Sequence, residues 1–196
     1  MNTEVPPPPP LSSMRQALLR LMLVLVGVGV LIAIVAVLRG EPFGETLAKV
    51  INTAIVTGIF GMLAIVCADA ADRRASVLAY AGVVAALATM VVFFVGVWFE
   101  AARQPWWWKA MAISSSYSLA LWRATRLSLA DVSGALATVV VRVTVAATLA
   151  IATIIALMVL REEAAPWLVR VMNACWILAI GGHVAVPILE RLDKQR

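Results

Sequence analysis

Apolar residues in this chain gather into long runs and do not alternate with polar ones. Residues 21–38 (LMLVLVGVGVLIAIVAVL), 50–68, 77–99, 143–160 and 171–189 are each about 18 residues or longer and almost free of charge. A helix needs roughly that length to cross a hydrocarbon core of ~30 Å. Lipid offers no partners to backbone N–H and C=O groups, so a crossing segment satisfies them within itself, as a helix. The pattern predicts an all-α, polytopic membrane helix bundle.

The polar breaks between the runs recur. Residues 38–54 read LRGEPFGETLAKVINTA and residues 160–176 read LREEAAPWLVRVMNACW. Pro42, Pro105 and Pro166 are each followed by an aromatic residue (Phe43, Trp106, Trp167), then by a cation (Lys49, Lys109, Arg170) and a small apolar stretch. Apolar runs end just before them at Leu38, Phe99 and Leu160, 61 residues apart each time. A period of that size marks a recurring supersecondary unit. The unit reads as a transmembrane hairpin, so the chain holds three antiparallel hairpin repeats of about 61 residues. Proline suits the first position of a helix, where its missing N–H costs nothing. Aromatic rings settle at the headgroup level, and Phe43, Trp106, Trp107, Trp108 and Trp167 are the expected interface anchors. The cation that follows snorkels along its alkyl stem.

The repeat decides one ambiguous stretch. Residues 105–122, PWWWKAMAISSSYSLALW, are a poor span by hydropathy because of Ser114, Ser115, Ser116, Tyr117 and Ser118. The repeat makes them a fourth helix, and charge agrees. With six spans and an inside N-terminus, nine Lys and Arg fall inside and six outside, and with five spans the count reverses. Cytoplasmic loops carry the excess of cations, which favours six spans near 18–38, 47–68, 75–99, 105–122, 136–160 and 167–189. The expected organisation is a disordered Pro-rich cytoplasmic leader at 1–17 and a six-span membrane domain at 18–189, with hairpins 18–68, 75–122 and 136–189. A charged cytoplasmic tail follows at 190–196, and residues 123–135 form the longest inner connection, with a surface helix as a further reading of that stretch. Three alike hairpins suit either a pseudo-threefold bundle or a linear stack.

Composition narrows the class further. Apolar residues make up 63% of the chain, charged residues 14%, and mean hydropathy is +0.96. An ordinary soluble domain is roughly half apolar and a quarter charged. The first run is long and lacks a small-x-small site before Arg39, so it reads as a retained span and not a cleaved signal peptide. Pro6 to Pro10 favour polyproline II, and the stretch reads as a disordered tail that spaces the terminus from the membrane, the alternative being a ligand for a proline-binding partner. The net charge of +5 is accounted for by cations beside spans, and no nucleic-acid partner is implied. Cys67 and Cys175 have neither metal spacing nor a disulfide framework, and their assigned depths predict that they stay unlinked.

Candidate chemistry is sparse. His183 is the single histidine, so paired-histidine haem and His-rich metal sites are excluded within one chain, and no cofactor is expected. The eleven acids lie in the leader, near span ends or in connections, which argues against a carboxylate relay inside the membrane. The intramembrane polar candidates are Asn52, Asn173, Ser115, Tyr117, Arg142 and His183. His183, in IGGHVAVP, reads as a neutral imidazole bonded to a neighbouring helix, with Gly181 and Gly182 allowing close approach and Pro187 bending or ending the helix. Arg142 reads as a snorkelling cation. Asn52 and Asn173 lie three residues after Lys49 and Arg170, at matching places in two repeats, and read as interhelical hydrogen-bonding groups.

The expected function is that of a non-enzymatic integral membrane protein. It would act as a structural, scaffolding or accessory subunit through helix packing, in a bacterial cytoplasmic (inner) membrane with both termini cytoplasmic. The expected partners are the lipid bilayer and a larger membrane complex or homo-oligomer. The alternative is a small transporter or channel with a path between the hairpins, and an intramembrane enzyme ranks third.

Overall fold

A computed structural model of the chain describes residues 13–40, 43–74, 76–99, 101–129, 135–162 and 165–193. The five-proline run lies outside them, as do Pro42 and residues 130–134. Every long element among the described residues is an α-helix: α1 (Ser13–Leu38), α2 (Phe43–Arg74), α3 (Val77–Trp98), α4 (Pro105–Ser128), α5 (Ala135–Arg161) and α6 (Pro166–Asp193). A short 3-10 turn, Ala101–Arg103, precedes α4.

Helix boundaries follow local chemistry. Gly40 ends α1 at φ 87°, with its N–H donating to Val37 O at 3.0 Å. That left-handed conformation is open to glycine without a Cβ penalty. At the matching place after α5, Glu162 takes φ 58°. Leu-Arg-Gly at 38–40 and Leu-Arg-Glu at 160–162 therefore turn through the same backbone region, although only the first has a glycine there. Pro105 and Pro166 open α4 and α6, as the sequence predicts. Helix α4 runs on to Ser128, so much of the stretch expected as a connection at 123–135 is helical. Pro187 does not end α6, which continues to Asp193.

Five of these helices are long and apolar enough to cross a membrane, whereas α4 is not. The fold is a helical membrane bundle. Packing follows chain order, each helix against the next, with one further contact of α2 on α4. The result is a row that curls at α2, α3 and α4, with α1 and α6 at its ends. Three equivalent hairpins about an axis would also pack the first hairpin on the third, and the main packed pairs do not include that contact. The main packed pairs are those between helices adjacent in the chain, with α2 on α4 besides.

Small residues hold the row together. Lipid tails are as apolar as leucine, so helices in a bilayer gain by close van der Waals approach more than by leaving solvent. Ala64, Cys67 and Ala68 of α2 and Ala79 and Ala86 of α3 are wholly buried. At Gly82, a Cβ would fall 2.6 Å from Cys67 Sγ. Between α5 and α6, a Cβ on Gly182 would fall 1.7 Å from Thr144 Oγ1.

Candidate functional site

Along the helix axes, the two ends of the bundle differ in chemistry. One end carries Gly40, the tryptophans at the head of α4, and Trp167. The other carries Arg73, Arg123 and Arg126.

At the tryptophan end, Trp106 and Trp108 are 53% and 63% exposed, but Trp107 is only 3% exposed. Trp107 is therefore not an interface anchor. Its ring rests on Gly96 of α3, where a Cβ would fall 1.9 Å from Nε1, and Nε1–H donates to Val92 O at 2.7 Å. Successive positions lie about 100° apart around a helix, so the three rings point to different sides, and Trp107 is the one that faces the neighbouring helix. Trp167 is exposed, in keeping with the anchor reading, and α2 starts at Phe43. Trp98 Nε1–H donates to Thr53 Oγ1 at 3.1 Å and ties α3 to α2. Lys109 of α4 donates to the carboxylate of Glu162 just past α5. That ammonium, by its hydrogen bond and its charge, holds the Glu162 carboxyl below the usual carboxylate range.

In the middle, hydroxyls turn back on their own helices. Ser115 donates to Ala112 O at 3.2 Å and Ser116 to the same carbonyl at 2.7 Å. Thr144 and Thr148 bond the carbonyls of Val140 and Thr144, each at 2.7 Å. Among the described residues, two hydroxyl–hydroxyl contacts cross between helices: Thr89 with Ser118 at 2.8 Å, and Tyr117 with Thr153 at 3.1 Å. Thr89 and Ser118 also reach Ala85 O at 2.9 Å and Ser114 O at 2.8 Å, so two hydroxyl protons serve three contacts. The serine cluster is thereby satisfied within α4, which explains how so polar a helix sits among apolar ones.

Asn52 and Asn173 are exposed on α2 and α6, and neither hydrogen-bonds another described residue. The interhelical hydrogen bonds expected of them are not found among the described residues. Each heads an exposed apolar stripe at helical spacing: Ile55, Ile59 and Met62 follow Asn52, and Ile177 and Ile180 follow Asn173. Arg142 lies exposed on α5, about 10 Å from its start at 1.5 Å per residue, within reach of the interface by snorkelling. Cys67 and Cys175 are free and belong to separate packed clusters.

At the arginine end, α4 and α6 part to leave a cleft of about 770 Å³. Trp122, Arg123 and Arg126 of α4 line it on one side, and His183 and Pro187 of α6 on the other. The Arg126 guanidinium stands 5.5 Å from the centre of the Trp122 ring, a cation–π arrangement. His183 bonds its own helix and not a neighbour: Nδ1 lies 2.7 Å from Ala179 O. A carbonyl only accepts, so Nδ1 carries the proton. Gly182, and not Gly181, provides the close approach, since a Cβ on Gly181 would meet nothing within 4 Å. Pro187 has no amide to give the His183 carbonyl its usual ladder bond.

Reading the sequence singled out His183 but missed its company. Trp122, Arg123 and Arg126 fall in the stretch WRATR, and the four-residue step from Trp122 to Arg126 was the available signal. No group of three or more His, Cys, Asp or Glu among the described residues is placed to hold a metal ion. No family model matches the chain, and neither a curated protein nor a solved structure shows significant similarity to it.

Proposed function

We propose that this protein is a structural or accessory subunit of a larger assembly in a cytoplasmic membrane, joined to its partners through the outward faces of α2 and α6. The observation that carries this reading is the pair of exposed asparagines, Asn52 and Asn173, neither of which hydrogen-bonds another described residue. A carboxamide facing hydrocarbon loses its water without gaining a partner. A neighbouring transmembrane helix supplies one, by a bond worth ~0.6 kcal/mol on average and up to ~1.7 kcal/mol. The apolar stripe below each asparagine gives that helix a surface to follow.

The terminal helices of the row support the same reading. Only 11% of the most apolar stretch of α1 and 17% of that of α6 is buried within the chain, against 33–39% for α2, α3 and α5. In this reading all six helices cross the bilayer as three hairpins. Both termini are cytoplasmic, and the proline turns face outward.

Purification in mild detergent, with Asn52→Leu and Asn173→Leu as variants, tests the proposal. Wild type is expected to run as an assembly heavier than one chain. The double variant is expected to shift toward the monomer while the monomer's melting temperature holds, because no bond within the chain is lost. A wild-type protein that is monomeric and conducts solute in liposomes would overturn the subunit reading in favour of the transporter alternative.

A further inference from the structure

The arginine-end cleft carries an inference independent of assembly. Beside it lies a second, narrower groove of about 160 Å³ between α4, α5 and α6. Arg123 lines both spaces. From Arg123 the narrow groove extends along α4 past Ala120 to Ser116, seven residues, or about 10 Å toward the middle of the bundle. Its walls there are Ile151 and Ile155 of α5 and Trp176 of α6. Among the described residues that line it, the wider cleft has two guanidinium groups and an imidazole, and no carboxylate. Basic chemistry at the mouth thus adjoins an apolar slot that runs inward.

We infer that these two spaces form a site for one anionic phospholipid, the phosphate held by Arg123 and Arg126 and an acyl chain laid in the slot beside Ile151 and Trp176. The shape and the charge point to the same ligand. A guanidinium gives a phosphate two parallel N–H donors. Arg126 is already poised by its stacking on Trp122. The slot suits hydrocarbon because its walls are aliphatic and aromatic side chains, with Ser116 and Thr148 as the hydroxyl-bearing members. Free inorganic phosphate shares the head chemistry but leaves the slot empty, and a zwitterionic lipid fills the slot but brings its own cation to the arginines.

The test uses the whole protein in detergent, given equimolar phosphatidylglycerol and phosphatidylcholine, with native mass spectrometry reading the lipids retained. Wild type is expected to hold one phosphatidylglycerol in preference. Arg123→Gln with Arg126→Gln should cut that preference about 30-fold, since a cation near an anionic leaflet contributes a factor of about five. Ala152→Phe, which narrows the slot, should weaken both lipids together. Arg142→Gln removes an exposed arginine outside the cleft and should leave the preference intact. Arg123→Lys with Arg126→Lys keeps the charge and should retain most of the preference, so misfolding of the glutamine variant would not mask the result. Equal retention of the two lipids by wild type would overturn the inference. So would equal loss in the Arg142 variant, or displacement of the lipid by millimolar inorganic phosphate.

Discussion

Gly181 and Gly182 are adjacent in sequence and sit in opposite surroundings. A methyl group on Gly182 would collide with Thr144, which is buried and fixed by its bond to Val140 O. On Gly181 it would meet open space. Gly182→Ala should therefore destabilise the α5–α6 pair by about 1–3 kcal/mol, the usual cost of overpacking. Gly181→Ala should be neutral or gain up to ~1 kcal/mol from helix propensity. Denaturation in detergent compares them, and equal losses would contradict the contact between Gly182 and Thr144. The sequence made the glycine pair conspicuous without dividing the roles, because the division depends on which way α6 is turned against α5. Trp107 teaches the same lesson. A tryptophan triplet signals the membrane boundary, but the neighbour that claims one of the three rings is known only once α3 is in place.

At the scale of elements, the turns after α1 and α5 share a backbone conformation but not a residue. Gly40 and Glu162 share a left-handed conformation, in which a residue other than glycine is strained. Glu162 compensates by a role Gly40 does not have, the ion pair that joins the α5–α6 turn to the head of α4. Its carboxyl is depressed by Lys109, so the pair's contribution is present above the ordinary carboxylate pKa. It fades as pH falls through the lower folded value. Both groups reach solvent, so the effect is small and salt-sensitive. Melting temperature measured down an acid titration should fall more for wild type than for Glu162→Gln, and 1 M salt should shrink the difference. Parallel curves for the two proteins would show that the pair contributes nothing. The ends of α4 and α6 were legible from proline and tryptophan. The tie across them was not, since Lys109 and Glu162 are 53 residues apart.

For the whole molecule, the apolar runs were readable because crossing lipid demands unbroken hydrophobic length, and the helices stand where those runs stand. The order of packing was not, because lipid-embedded contacts rest on alanine and glycine, which hydropathy barely distinguishes from other apolar residues. The arginine-end cleft was hidden for the same reason, being made where α4 and α6 fail to meet. Helix α4 is the decisive element. By hydropathy it falls short of a span, yet its 24 residues reach about 36 Å, enough for the hydrocarbon core. Its serines bond their own carbonyls, and it packs against α2, α3 and α5, so its polar groups cost far less than they would in open lipid. A crossing by α4 places Leu129 on the same side as the C-terminus, and in the orientation proposed above that side, with Arg73, Arg123 and Arg126, is the cytoplasmic one. Reporter fusions at Leu129 and at the C-terminus should then both read cytoplasmic. An external reading at Leu129 would mean that α4 does not cross. It would also set the two arginines of the cleft on the side opposite to the one proposed for them.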